Sequence, residues 1–128
     1  MSPWHLARLY ALKSLWTATG LRTAGRALID ALGSPDEGVR TVAGMLLVRN
    51  GQRAEPLIAE AIARREHLPI VLVIAGDIGA SALEPELRRF TGDPAPDVAR
   101  AAHDGLRILE GNHDGFAVKQ GASQPEQQ

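Results

Sequence analysis

The sequence predicts an all-α fold, a short α-solenoid built from antiparallel helix pairs. Apolar residues recur at helical spacing along most of the chain, and residues that start or stop helices separate these segments. The pattern also repeats: the pairs Glu55-Pro56 and Glu84-Pro85 lie 29 residues apart, and each opens a helical stripe. A period in this range is typical of stacked supersecondary units. Residues 1–110 are therefore predicted to form seven helices, or about three and a half repeats.

The first unit is predicted to begin at Ser2-Pro3 and to contain a helix over Trp4–Thr19. Gly20 breaks the pattern, and the partner helix covers Leu21–Leu32. The first helix is apolar on more than one face and contains three of the five aromatic residues: Trp4, Tyr10 and Trp16. The residues of the partner helix that are predicted to point inward are Leu21, Ala24, Leu28 and Leu32.

The second unit begins at Ser34, which is predicted to cap a helix with Pro35 at its first position and Glu37 completing a capping box. Asn50-Gly51 is predicted to end this helix. A second helix follows over Ala54–Glu66. The apolar stripe of the first helix consists of Val39, Val42, Ala43, Leu46 and Leu47.

The third unit is predicted to pair Leu68–Ile78, closed by Gly79, with Ser81–Thr91, which opens on a capping box. The run over Leu68–Ile78 is apolar on nearly every side and is also compatible with a strand, but the repeat register favours a helix. The fourth unit has only its first helix, Pro96–Glu110. Residues 111–128 are rich in Gly and Gln and are predicted to form a disordered tail.

The repeated positions resemble those of HEAT repeats, specifically the short variety of phycobilisome-lyase-type proteins. This resemblance implies that apolar residues of the first helices, including Val71, pack between units, and that Asp36 and Arg40 make ladder contacts along the stack. Unit three departs from the pattern by opening Glu66-His67, and Ala99 stands where unit four needs an arginine. The matching residues are Asp36, Val39, Arg40, Ala43 and Leu47, then Ala75 to Gly79, then Asp97, Val98, Ala102 and Leu106.

Composition limits the classes of function. A length of 128 residues predicts one domain, and a net charge of −1 argues against a general nucleic-acid binder. The absence of cysteine excludes disulfides and thiolate metal sites. No apolar run reaches the roughly 18 residues that a membrane span requires, and no secretory signal is convincing, so a cytoplasmic protein without a membrane span is expected.

The sequence contains no recognisable catalytic, cofactor or metal motif. Phosphate-binding glycine loops and nucleophile elbows are both missing. The pairs His103-Asp104 and His113-Asp114 use the dipeptide of metal-dependent phosphohydrolases, but the further ligands of that family are missing, and solvated polar pairs are the preferred interpretation. No catalytic, cofactor-binding or metal-binding residue is therefore predicted.

Two surfaces are candidates for partner binding. The first helix carries Trp4, Tyr10 and Trp16, and residues 1–29 contain four cations and no acid. It is interpreted as a repeat helix with solvated cations, as a docking or self-association helix, or as a targeting or membrane-surface segment. The second helices of HEAT stacks line the concave face, and here they end in two arginine pairs. The pairs are Arg64-Arg65 and Arg88-Arg89. They are interpreted either as cations that neutralise helix C-termini or as a basic strip that binds acidic protein segments or phosphates.

The favoured function is a non-enzymatic protein–protein interaction module. It would bind another protein through its concave second helices, its aromatic first helix, or both. One alternative, implied by the resemblance alone, is a lyase or chaperone accessory that handles a chromophore or small molecule. Another is a nucleic-acid-binding solenoid. Because so few repeats leave apolar surface at both ends, a homodimer through the first helix is also a prediction.

Overall fold

The computed structural model describes the backbone of residues 2–126 and the side chains of residues 2–111. Within that part of the chain there are seven α-helices, one 3₁₀ turn and no strand, which confirms the all-α class. The 3₁₀ turn, Ser81–Leu83, directly precedes the sixth helix. The helices are α1 (Pro3–Thr19), α2 (Arg22–Ala31), α3 (Glu37–Arg49), α4 (Gly51–Ala63), α5 (Leu68–Asp77), α6 (Glu84–Phe90) and α7 (Pro96–Glu126).

The principal packing contacts join helices that are neighbours in the chain or one helix apart. Consecutive helices pack from α1 through α5, and α6 packs on α7. The contacts that skip one helix join α1 to α3, α2 to α4, α3 to α5 and α5 to α7, of which the last is the most extensive. Among the described residues, no helix is both long enough and apolar enough to cross a bilayer.

The ends of α1 follow the sequence signals. Ser2 caps the helix by accepting a hydrogen bond from the backbone N–H of His5 at 3.4 Å, and Pro3 occupies the first turn, where its missing N–H has no cost. Gly20 ends α1 in the left-handed conformation, with φ +70°, which glycine adopts without steric strain. The predicted bounds of the first helix are therefore correct to within a residue.

The start of α3 and the connection to α4 differ from the prediction. Asp36, not Ser34, caps α3: its Oδ1 accepts from the N–H groups of Gly38 at 2.8 Å and Val39 at 3.3 Å. Asn50 is the single residue between α3 and α4, so Gly51 begins α4 instead of ending α3. Because α4 begins that early, Pro56 lies inside the helix, where it cannot donate to the preceding turn.

The segment that was compatible with a strand forms the helix α5. The chain enters it through two residues with left-handed backbone, Arg65 with φ 56° and His67 with φ 49°. After α5, Gly79 adopts φ +68°, as expected for a residue that closes a helix. The predicted helix start at Ser81 is a 3₁₀ turn, and α-helical geometry begins only at Glu84.

The core is one continuous apolar cluster that runs through the described residues. Leu21, predicted to point inward, is 48% exposed, because it precedes the first turn of α2 instead of lying within the stripe. The helix predicted over Pro96–Glu110 is longer in the structure, where the backbone of α7 continues to Glu126. The side chains of residues 112–128 lie outside the described residues, so the assignment of a separate C-terminal tail stays a prediction. The apolar repeat positions are all buried: Val39, Ala43, Leu47, Val71, Ala75, Val98, Ala102 and Leu106.

The helices α5 and α7 approach each other so closely that their backbones touch. A Cβ atom placed on Gly76 would lie 2.9 Å from Cα of Gly105 and even closer to its carbonyl oxygen. A Cβ atom on Gly105 would in turn meet the backbone of Leu72 and lie 3.2 Å from Cδ2 of Leu87. Only glycine leaves room for this crossing.

Candidate partner-binding surfaces

The aromatic side chains of α1 divide between the surface and the core. Trp4 is 84% exposed and Tyr10 is 39% exposed, whereas Trp16 is only 5% exposed. The prediction that Trp16 serves as a surface anchor is therefore wrong, because its ring packs against α2, beside the position of Gly25. Only Trp4 and Tyr10 remain available to a partner.

The exposed side of α1 carries an apolar stripe. At 100° per residue, its five members fall within a sector of about 80°, on the side of the helix nearly opposite Leu9 and Trp16. The cation Arg8 borders the stripe, and no carboxylate lies within salt-bridge distance of it in the described part of the chain. We call these five exposed residues the α1 stripe: Trp4, Ala7, Ala11, Leu15 and Ala18.

The four candidate arginines all form ion pairs within the chain. Arg64 and Arg65 follow the end of α4 at Ala63, so the prediction that this helix continues to Glu66 is wrong. Arg64 lies 3.3 Å from Glu60, and Arg65 lies 3.2 Å from Asp93. Arg88 lies 3.4 Å from both Glu84 and Glu110. Arg89 lies 2.6 Å from Glu86. Their guanidinium groups are thus partly neutralised before any partner arrives.

Two of these arginines also lie close to an aromatic ring. The guanidinium carbons of Arg65 and Arg89 lie 5.4 Å and 5.0 Å from the ring centroid of Phe90. This distance falls within the range of cation–π attraction. Asp93 holds Arg65 in this position: its Oδ1 accepts a hydrogen bond from Nη2 of Arg65 at 3.2 Å, and its Oδ2 accepts one from the backbone N–H of Ala95 at 3.1 Å. These contacts give Arg65, Arg89 and Asp93 a structural role, because they join the segment after α4 to α6 and to the segment that follows α6.

A denser ion-pair network joins α2 to α4. Arg26 donates from Nη2 to both carboxylate oxygens of Glu66 at 2.9 Å, and its Nε lies 3.8 Å from Glu60. Glu60 is also paired with Arg22 and Arg64, so one carboxylate faces three guanidinium groups. The side chains of Arg26 and Glu60 are only 18% and 15% exposed. Helical spacing does not predict this network, because the pairs that start from α2 join residues 34 to 40 positions apart.

Replacing Glu60 with glutamine is expected to lower the free energy of unfolding by about 1–2 kcal/mol, because it leaves clustered, partly buried cations without a counter-charge. The control is Glu86→Gln, which breaks an exposed pair and is expected to cost no more than about 0.5 kcal/mol. Urea unfolding of both variants measures the difference. Equal losses in the two variants would show that the network contributes no more than a surface ion pair.

An open apolar groove, which the sequence did not predict, lies between α3 and α5. Its volume is about 490 Å³. Arg40 and Arg49 lie at the two ends of the wall formed by α3, and Asp77, whose pKa is raised by partial burial, lies on the α5 side. The apolar lining residues of this α3–α5 groove are Gly44, Met45, Val48, Ile70, Val73 and Ile74.

The implied ladder residues make local contacts at the start of α3. The carboxylate of Asp36 caps its own helix, and Nη1 of Arg40 donates to the carbonyl oxygen of Ser34 at 2.6 Å. Asp36 also lies 4.0 Å from Nδ1 of His5 in α1. Partial burial raises the pKa of Asp36, but the N–H groups of Val39 and Gly38 act against this, and the net pKa is lowered. The implied ladder along the stack stays a prediction.

The histidine–aspartate pairs form no metal-binding cluster in the described residues. Asp104 accepts a hydrogen bond from Nη2 of Arg107 at 2.9 Å, so it forms a local surface pair. The side chains of His113 and Asp114 lie outside the described residues. A scan of protein-family models and searches of curated proteins and of solved structures each found no match to this chain.

Proposed function

We propose that this chain is a small α-solenoid of HEAT type that binds another protein. Its principal contacts, between neighbouring helices and between helices one apart, are those that a stack of helix pairs requires. The repeat positions from which the resemblance was drawn support the proposal as well, since their apolar members are buried. The chain would act as an interaction module without chemistry of its own.

The α1 stripe is the single observation that carries the binding proposal. It places a tryptophan, 84% exposed, at one end of a helix face, and Leu15, 47% exposed, near the other, with small alanines between them. Tryptophan is among the residues most enriched in interface hot spots. Residues 1–29 contain no acid, so the partner surface is expected to be apolar with acidic residues at its rim.

This charge pattern favours a different protein over a second copy of the chain. Two α1 stripes placed face to face would bring the Arg8 side chains of both copies to one interface with no acid from either first helix. Like charges at a shared interface oppose association. Nucleic-acid binding gains no support from the four candidate arginines, because each of them already lies within 3.4 Å of a carboxylate.

The test replaces both anchors of the stripe, as Trp4→Asp with Leu15→Asp. Quantitative affinity capture from the source cells, followed by mass spectrometry, is expected to show at least a tenfold loss of a specific partner, which corresponds to about 1.4 kcal/mol or more. The fold is expected to survive, since both side chains are exposed.

The matched control is Leu21→Asp, which changes an equally exposed leucine outside the stripe, at a helix N-cap where aspartate is favourable. This variant should retain the partner. Recovery of the same proteins by all three forms of the chain would contradict docking through α1. Sedimentation of the intact chain, with the double variant beside it, would reveal a homodimer if that alternative is correct.

A further inference from the structure

The α3–α5 groove has two walls with the spacing of helix-packing faces. The α3 wall advances through Thr41, Gly44, Met45 and Val48, and the α5 wall advances through Ile70, Val73, Ile74 and Asp77. Both walls follow the i, i+3, i+4, i+7 pattern, which is the pattern that one helix presents to another. Two such faces side by side leave a seam into which the ridge of a third helix fits.

Gly44 keeps this seam open. A Cβ atom on Gly44 would lie 3.9 Å from Cδ2 of Leu32 and 4.0 Å from Cδ1 of Ile74, which are ordinary contact distances. Packing between α3 and α5 therefore does not require glycine at this position. A glycine in the middle of a helix lowers stability by about 0.5–1 kcal/mol relative to alanine. The packing around Gly44 does not explain why the fold keeps a destabilising residue at this position.

The charges around the groove are complementary to an acidic occupant. Arg40 and Arg49 are nine residues apart along α3, about 13 Å at the helical rise. Arg40 donates a hydrogen bond from one nitrogen to the carbonyl oxygen of Ser34. Arg49 has no acid within salt-bridge distance among the described side chains. Asp77 is the one carboxylate among the lining residues, which leaves the rim with a net positive charge.

We propose that the α3–α5 groove binds an amphipathic helix of a partner protein, one that carries an acidic residue at each end of a short apolar stripe. The apolar residues of that helix fill the seam beside Gly44, and its two carboxylates face Arg40 and Arg49. This mode of recognition places a helix into a preformed groove. This site is separate from the α1 stripe, so the groove proposal does not depend on the proposed docking through α1.

The probe is an acetylated, amidated helix-forming peptide of about 14 residues. It has glutamate at its third and tenth positions and leucine at its sixth and seventh, with alanine and glutamine elsewhere, so that the four key side chains share one face. The matched control peptide has lysine in place of both glutamates. Backbone amide shifts of the isotope-labelled full chain, recorded by NMR during titration, report the site and the affinity.

The acidic peptide is expected to shift amides of α3 and α5 and to bind about tenfold more tightly than the lysine peptide. The Arg49→Glu variant should invert this preference, weakening the acidic peptide by about tenfold and strengthening the lysine peptide. Because Arg49 is exposed, this reversal leaves the core untouched. Gly44→Leu should abolish binding by filling the seam, and its circular dichroism spectrum reports whether the fold survives.

Equal affinity of the two peptides, or shifts confined to α1, would overturn the proposal, since either would indicate only nonspecific apolar adhesion or binding elsewhere. An unchanged preference in Arg49→Glu would also overturn it, even if Gly44→Leu fails to fold. The Trp4→Asp and Leu15→Asp double variant should bind the acidic peptide like the intact chain. Failure of docking through α1 and failure of the groove proposal are therefore distinguishable.

Discussion

Replacing Gly105 with alanine is expected to lower the free energy of unfolding by about 2–3 kcal/mol, even though alanine is the better helix former. The new methyl group would meet the backbone of Leu72, which cannot rotate away as a side chain would. The helices α5 and α7 would have to move apart, and the contact between them is the most extensive helix contact in the fold. Urea unfolding followed by circular dichroism measures the loss.

The matched control for this experiment is Gly44→Ala. It makes the same change within α3, where the added Cβ would meet no atom closer than 3.9 Å. This variant is expected to be more stable than the intact chain by about 0.5–1 kcal/mol, because the helix gains alanine without a clash. If Gly105→Ala were stabilised to the same extent, α5 and α7 would not be in backbone contact.

Replacing Trp16 with alanine is expected to cost about 3–5 kcal/mol, the range for removing a buried aromatic side chain. Its ring fills space beside Gly25 and is almost fully covered. The same change at Trp4 is expected to alter stability by no more than about 0.5 kcal/mol, because that side chain is 84% exposed. Thermal unfolding of the two single variants gives the comparison.

The tryptophan variants also separate folding from binding. Loss of a partner by Trp16→Ala would carry no information about a docking surface, since the fold itself is weakened. Loss of a partner by Trp4→Ala at unchanged stability would point to the α1 stripe. Trp4→Phe supplies a further check, because it leaves Trp16 as the only tryptophan, whose fluorescence should then report a buried ring. Equal destabilisation by Trp4→Ala and Trp16→Ala would contradict the assignment of Trp16 to the core and Trp4 to the surface.

Helical periodicity was sufficient to predict where the helices lie, because the apolar stripes are determined by local spacing. It was less reliable for their ends. The cap of α3 depends on which oxygen reaches the free N–H groups, and Asp36 competes successfully with Ser34. The early start of α4 at Gly51 could not be inferred, since a proline within the helix argued for a later start. Both outcomes concern the local backbone at a helix end, which the spacing of apolar residues does not determine.

The surfaces were harder to predict than the helices. Because α1 is apolar on several sides, periodicity could not determine whether Trp4 or Trp16 faces the core. The network around Glu60 joins α2 to α4 and became visible only when those helices were placed side by side. The α3–α5 groove left one signal in the sequence, a glycine at a mid-helix position of α3. That signal is ambiguous without the neighbouring helix.

The short reach of the helix contacts has a consequence for how the chain is made. Each principal contact joins helices no more than one helix apart, so every helix finds its main neighbours among residues already synthesised or soon to follow. Chains dominated by local contacts fold quickly, and synthesis at roughly 5–20 residues per second is slow by comparison. The helices α1 to α3 can therefore assemble on the ribosome before α7 has been translated, and each later helix adds to a part of the chain that is already folded.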